Sequence, residues 1–106
     1  MHQVSIFVKF FSRTLFYNIS EIIYRLHKYA IGILVVMHYF IVMNVQEFVR
    51  AAGKCDFDID VFYNRIIIDA KSILGVLSMD LTRVLTVQCH GESKEFNRTL
   101  QKFAVA

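Results

Sequence analysis

Alternating apolar and polar positions mark the strands of this sequence. Asp56–Phe62 (DFDIDVF) alternates without a break, which predicts a strand with one buried face and one face in water. Tyr63–Arg65 predicts a turn, after which Ile66–Asp69 returns as the second arm of a hairpin. Val84–His90 (VLTVQCH) alternates in the same way, and His38–Met43 (HYFIVM) is rich in β-branched and aromatic residues. We therefore expect four strands, the first of them at His38–Met43.

Apolar positions at spacings of three and four predict the helices. Asn44 precedes such a run, which ends at Gly53 and forms the first predicted helix. Ser72 precedes a short apolar segment, Ile73–Leu77, and Ser93 precedes a final amphipathic helix. The resulting order is strand, helix, strand, strand, helix, strand, helix. Four strands and three helices in this order predict a two-layer α+β domain.

Charge divides the chain at Met37. Residues 1–36 contain four basic residues and one acidic residue, whereas residues 37–106 contain eight of each. We expect an N-terminal extension in the first segment and a folded domain in the second. The extension has two alternative interpretations: either Met37 is the true start, or residues 1–36 form an amphipathic membrane anchor. The second rests on a helical period at Ser20–Lys28 and an apolar run at Tyr29–Met43. Because part of that run is assigned to the first strand, we do not expect a membrane partner.

The composition indicates a folded protein that does not bind nucleic acid. Hydrophobic residues make up 56% of the chain and charged residues 20%, so there is enough apolar surface to form a core. The net charge of +3 arises in the extension, whereas a nucleic-acid-binding domain carries its positive charge on the folded part. Two cysteines are too few for a disulfide framework. We interpret Cys55 and Cys89 as reduced thiols, with Cys89 in the core.

No arrangement of potential ligands or nucleophiles predicts a metal or a cofactor. Asp56, Asp58 and Asp60 share one strand face, but neighbours at this spacing lie about 7 Å apart, too far for a compact cation site. Cys89 and His90 are adjacent on a strand and therefore point to opposite faces. The sequence contains no glycine-rich phosphate loop and no catalytic carboxylate motif. We expect a protein without a metal, a cofactor or catalytic residues.

The segment around Ser72 resembles a known family. Asp69–Ser78 (DAKSILGVLS) is similar to the Lys-Ser-Ile-Met-Gly-Val-Met-Ser segment of HPr proteins, the small phosphocarriers of the bacterial sugar phosphotransferase system. The resemblance covers about residues 37–104. It implies an HPr-like open-faced β-sandwich with the order βαββαβα, in which a four-stranded antiparallel sheet carries three helices on one face.

The resemblance also implies a phosphate carrier, but the histidine motif is absent at the expected position. HPr proteins carry phosphate on a histidine between the first strand and the first helix, in a Gly-x-His-x-Arg-Pro pattern. The predicted junction, Ile41–Glu47, contains no histidine, arginine or proline. We therefore expect a cytoplasmic carrier or regulatory binding protein, not an enzyme, that does not relay phosphate through histidine. The alternative is a working phosphocarrier with another acceptor, such as His38.

Ser72 is the site that the resemblance favours. Regulated HPr proteins are phosphorylated by a dedicated HPr kinase at the serine of the Lys-Ser-Ile segment, which corresponds to Ser72. Without the resemblance, Ser72 is interpreted only as the cap of its helix. HPr proteins use the surface around this serine to bind other proteins of the phosphotransferase system and regulators. The expected partner-binding residues are Lys71, Ile73, Leu74, Gly75 and Val76.

Overall fold

The computed structural model describes residues 4–10, Arg25 and residues 30–105 of the chain. The strands and helices of this part follow one another in the order βαββαβα. The elements are β1 (Val4–Val8), α1 (Ala30–Gly53), β2 (Ile59–Tyr63), β3 (Ile66–Asp69), α2 (Ile73–Leu77), β4 (Leu85–Cys89) and α3 (Lys94–Gln101).

The four strands of the described residues form one antiparallel sheet in the order β1–β4–β2–β3. Val87 in β4 lies between Ile6 of β1 and Val61 of β2, and Ile68 of β3 continues the same row. Asn64, at φ 53°, makes the predicted turn between β2 and β3. The helices pack on one face of this sheet. The predicted fold class, an α+β open-faced sandwich with the order βαββαβα, is confirmed.

The core lies between one face of the sheet and the helices. Its fully buried residues in β2 and β4 are those that the alternation predicts, namely Ile59, Val61, Leu85 and Val87. The Phe48 ring of α1 packs on them together with two other rings, at centroid distances of 5.1 Å to Phe10 and 5.7 Å to Phe96. Tilted ring pairs of this kind add to the stabilisation from burial.

The first predicted strand is wrong, because His38–Met43 lies inside α1. Ile41 packs against the core four residues before the buried Val45, so this segment also satisfies a helical period. Asn44, which is predicted to cap this helix, lies inside it, because α1 already begins at Ala30. The first strand is instead β1, whose residues all pair with β4. The helical period predicted at Ser20–Lys28 lies outside the described residues, apart from Arg25.

Strand β1 has backbone hydrogen-bond partners along both of its edges. On one side it pairs with β4 over its whole length. On the other side the backbone N–H of Lys9 donates to Phe103 O at 2.9 Å, and that of Val105 donates to Phe7 O at 2.9 Å. Val8 is fully buried. The division of the chain at Met37 stays a prediction. Because β1 precedes Met37 and packs in the sheet, removing residues 1–36 tests this division directly.

We expect a chain that begins at Met37 to be strongly destabilised relative to the full chain. The shortened chain loses β1 and the buried side chains of Val8 and Phe10, and it leaves one side of β4 without a partner. Urea unfolding followed by circular dichroism measures the difference. If the shortened chain unfolds cooperatively at the same urea concentration as the full chain, residues 37–106 form an independent domain after all.

Candidate functional site

Ser72 occupies the N-cap position of α2 and is exposed. Its backbone is extended (φ −98°, ψ 107°), and its Oγ accepts a hydrogen bond from the backbone N–H of Gly75 at 3.1 Å. The carbonyl of Ser72 accepts the backbone N–H of Val76 at 3.0 Å, which is the first bond of the helical turn. The predicted cap is therefore confirmed, and the hydroxyl that forms it lies at the protein surface.

Two neighbouring polar residues fix the turn that precedes Ser72. Asp69 accepts the backbone N–H of Ser72 at its carbonyl (3.0 Å) and that of Lys71 at its Oδ1 (2.9 Å). The ammonium group of Lys71 donates to Cys55 O at 3.0 Å, so it ties the turn to the residues before β2. The Lys71 side chain thus makes an intramolecular contact, which was not part of the sequence-based prediction.

The apolar residues of α2 divide between core and solvent. Val76 is fully buried, so its side chain is unavailable to a partner and its prediction as a partner-binding residue is wrong. Leu74 is 79% exposed, and Ile73 and Leu77 are half-buried. A helix of one and a half turns has only one side against the domain, which explains why Leu74 points outward.

Gly75 is required by the contact of α2 with β3. A Cβ atom at this position would lie 2.6 Å from Ile68 Cγ2 and 3.0 Å from Ser72 Oγ. The side of Gly75 that lacks a side chain therefore faces the protein itself. The absence of a side chain at Gly75 lets α2 sit tightly on the sheet, and the role of this residue in binding a partner stays a prediction.

Strand β3 adds exposed apolar residues next to α2, which the sequence-based prediction missed. Ile66 is half exposed and Ile67 is 61% exposed, because β3 is the edge of the sheet and Ile67 points to the open face. The run of three isoleucines, without the alternation seen in β2, is the signal that could have indicated this surface. We call Ser72, Ile73, Leu74 and Ile66 the Ser72 surface; Ile67 lies on the opposite face of the sheet.

The two histidines in the described part of the chain each have a hydrogen-bond partner. His38 lies in α1, where its Nδ1 donates to Leu34 O at 2.7 Å. His90 follows β4, and its Nε2 lies 3.1 Å from Asp60 Oδ2 on the open face of the sheet. His38 is internal to α1, and His90 precedes the N-cap of α3, Ser93, by three residues, with its ring beside Asp60.

The junction between the first strand and the first helix also differs from the prediction. Ile41–Glu47, predicted as this junction, is internal to α1, and residues 11–24 and 26–29, which precede α1 in the sequence, lie outside the described residues. His27 belongs to this stretch but lies outside the described residues, as does His2. The sequence around His27 has Arg25 and Tyr29 where the HPr pattern has glycine and arginine. The Gly-x-His-x-Arg-Pro pattern is absent here too.

Both cysteines are buried and free. Burial raises the pKa of the Cys89 thiol to about 11, with a smaller contribution from Cys55. Burial also raises the pKa of Cys55, which donates to Ala51 O at 3.7 Å. Raised pKa values keep both groups as neutral thiols, which are poor nucleophiles and poor metal ligands.

Asp80 stabilises a loop and is not part of a metal centre. No group of three or more His, Cys, Asp or Glu side chains is arranged to hold a metal ion in this part of the chain. Asp80 Oδ1 accepts hydrogen bonds from the Thr82 hydroxyl (2.6 Å) and the Thr82 backbone N–H (3.1 Å). Asp80 Oδ2 accepts a hydrogen bond from Arg83 Nε at 3.3 Å. These contacts, the Thr82 hydroxyl first, lower the pKa of Asp80. They fix the connection that leads into β4.

Comparisons with known proteins give a similarity at the level of solved structures. No family model and no curated protein matches the chain. Among solved structures, the chain is similar to the crystal structure of HPr-C-His from Thermoanaerobacter tengcongensis, with 21% sequence identity and a TM-score of 0.47. The alignment covers 96% of this chain and 89% of that one.

We expect Ser72→Ala to lower the free energy of unfolding by about 1 kcal/mol, because it removes the acceptor for the Gly75 N–H. Ser72→Asp keeps an acceptor at the cap and should retain the stability of the wild type. Ser93→Ala, which removes the equivalent bond to Phe96 N in α3, is the matched comparison. Urea unfolding measures all three variants. Equal stability of Ser72→Ala and wild type would show that the cap contributes nothing.

We expect Cys89 to resist alkylation by iodoacetamide at pH 8 in the folded protein and to react readily in urea. With a pKa of about 11, roughly one thiol in a thousand is ionised at that pH. Folding raises this pKa above its ordinary value of 9.0. The contribution of the Cys89 thiol to the free energy of unfolding is therefore present below pH 9 and is lost as the pH rises toward 11. Mass spectrometry of Cys55→Ser follows Cys89 alone. Equal alkylation rates with and without urea would contradict the prediction.

Proposed function

We propose that this chain is an HPr-like binding and regulatory module that acts through Ser72 and the Ser72 surface. The observation that carries the proposal is the position of Ser72: its hydroxyl is exposed, at the start of α2, beside the exposed side chain of Leu74. The resemblance of Asp69–Ser78 to HPr proteins and the βαββαβα order support it. The proposed role is that of a cytoplasmic carrier-type or regulatory protein, without catalysis of its own.

Phosphorylation of Ser72 is compatible with the local structure. A kinase would transfer the γ-phosphoryl group of ATP to Oγ: the Oγ–P bond forms, the bond to the bridging oxygen of ADP breaks, and the hydroxyl proton leaves. The phosphate oxygens can still accept the Gly75 N–H, as Oγ does now. The modification adds a charge of about −1.5 to −2 at a position that is already exposed. We therefore expect the fold to be kept.

The consequence of the modification would be a change in partner choice. Leu74 and Ile66 offer apolar contact area at the edge of the domain. A phosphate on Ser72 places negative charge at the rim of this area, so a partner with an acidic rim is repelled and one with basic residues is attracted. The ammonium group of Lys71 is engaged with Cys55 O, so it does not cancel the added charge directly. The proposed partners are proteins of the phosphotransferase system and regulators, among them an HPr kinase.

The proposal is tested by incubation of the full chain with a bacterial HPr kinase and ATP. We expect one phosphate on the wild type and none on Ser72→Ala. Ser78→Ala is the matched control, since Ser78 is also exposed and lies at the other end of α2, and it should be labelled like the wild type. An unlabelled wild type, or equal labelling of Ser72→Ala, would contradict the regulatory role of Ser72.

The alternative, a phosphocarrier that uses a histidine, is tested separately with phosphoenolpyruvate and the general phosphotransferase enzyme. We expect no acid-labile phosphate, since neither described histidine lies at the start of a helix. His27→Ala and His38→Ala are the variants to compare if label appears. Stoichiometric labelling that either substitution abolishes would make the chain a carrier and overturn the proposed role.

A further inference from the structure

Basic residues of the C-terminal part of the chain are concentrated on two helices. Residues 37–106 contain eight basic and eight acidic residues. Five of the basic residues lie in α3, in the C-terminal half of α1 or directly after one of these helices, namely Arg50, Lys54, Lys94, Arg98 and Lys102. Four of the acidic residues lie in or just before the hairpin of β2 and β3, namely Asp56, Asp58, Asp60 and Asp69. The balanced charge of this part therefore consists of a basic helical side and an acidic hairpin.

The three basic residues of α3 form one stripe. Lys94, Arg98 and Lys102 follow one another at intervals of four residues, so they lie on the same side of the helix, about 6 Å apart along its axis. All three are exposed. Phe96 and Leu100 are buried on the opposite side of the helix. The packing of α3 on the core therefore points this stripe to solvent.

Two basic residues of α1 and its C-terminal end lie next to α3. Arg50 and Lys54 line a groove of about 730 Å³ that runs along α1 and is also lined by Thr99 of α3. Lys102 is joined to α1 as well, through its ion pair with Glu47. We call the five residues of these two helices the basic surface: Arg50, Lys54, Lys94, Arg98 and Lys102.

Most charges of the basic surface have no acidic partner. Within the described residues, four of the five side chains make no ion pair, namely Arg50, Lys54, Lys94 and Arg98. Like charges at a spacing of four residues destabilise a helix. The helix dipole favours basic residues at the C-terminal ends of α1 and α3, but Lys94 lies in the first turn of α3, where positive charge is unfavourable. Fold stability therefore does not explain the whole stripe, whereas binding of a negatively charged ligand does.

We propose that the basic surface binds an acidic α-helix of a partner protein, with carboxylates at every fourth position. Such a helix presents its charges at the same spacing of about 6 Å as the stripe on α3. The phosphate backbone of a nucleic acid fits less well, because Glu47 and Glu95 stand among the basic side chains and would face a continuous row of phosphates. Discrete carboxylates can be placed to avoid them. Contacts of this kind give specificity and fast association more than high affinity.

Fluorescence anisotropy of labelled peptides, titrated with the full chain, tests the proposal. The probe is an alanine-based helical peptide with a glutamate at every fourth position. The comparison is a peptide of the same composition with its glutamates in one block. We expect the regular peptide to bind more tightly than the block peptide, because only its carboxylates match the stripe. Added salt should weaken this binding, since the charges lie at the surface.

Two charge reversals separate the basic surface from net charge in general. Arg98→Glu reverses the central charge of the stripe, and we expect it to weaken binding of the regular peptide about tenfold. Arg65→Glu is the matched control: it changes the net charge equally at an exposed residue of the turn between β2 and β3, and it should bind like the wild type. Circular dichroism checks that both variants are folded.

Any of four results would overturn the proposal. These are a wild type that binds neither peptide, equal affinity for the two peptides, equal losses in Arg98→Glu and Arg65→Glu, or tighter binding to duplex DNA that Arg98→Glu abolishes. Ser72 is not part of the basic surface and does not line the groove. Ser72→Ala should therefore bind the regular peptide like the wild type, so the test is independent of the proposed role of Ser72.

Discussion

The position of β4 in the middle of the sheet is the constraint on which the rest of the structure depends. All five of its residues pair with β1, and four of them pair with β2 on the other side. This strand comes late in the chain, so its partners are separated from it by long stretches of sequence, β1 most of all. The Leu85, Val87 and Cys89 side chains of β4 form part of the buried sheet face on which α1, α2 and α3 pack. Contacts of such sequence separation form slowly and hold the two halves of the chain together.

The sequence predicts the elements whose signals are local. The alternation of Asp56–Phe62 and Val84–His90 and the caps at Ser72 and Ser93 depend on neighbouring residues only, and β2, β4, α2 and α3 follow from them. The predicted strand at His38–Met43 is wrong because a run of apolar residues satisfies a helical and a strand period equally well. Val4–Val8 has no turn residues around it, and its strand character depends on pairing with β4, which sequence patterns do not reveal.

The candidate site shows the same division between local and non-local information. The hydrogen bond from Gly75 to Ser72 is a property of one helical turn and could be predicted. Which of Leu74 and Val76 is buried depends on how α2 sits on the sheet, and a five-residue helix gives too short a period to decide it. The exposure of Ile67 follows from the place of β3 at the edge, which is set by the strand order.

The two edges of the sheet are protected unequally. The outer side of β1 is closed by the C-terminal residues, through the hydrogen bonds of Lys9 and Val105. In the described part of the chain nothing pairs with the outer side of β3, and its isoleucine run contains no lysine, proline or bulge. Such an edge is a template for unwanted strand addition between molecules. Arg65 and Asp69 place one charge at each end of this run, which is where charged residues oppose the addition of a further strand.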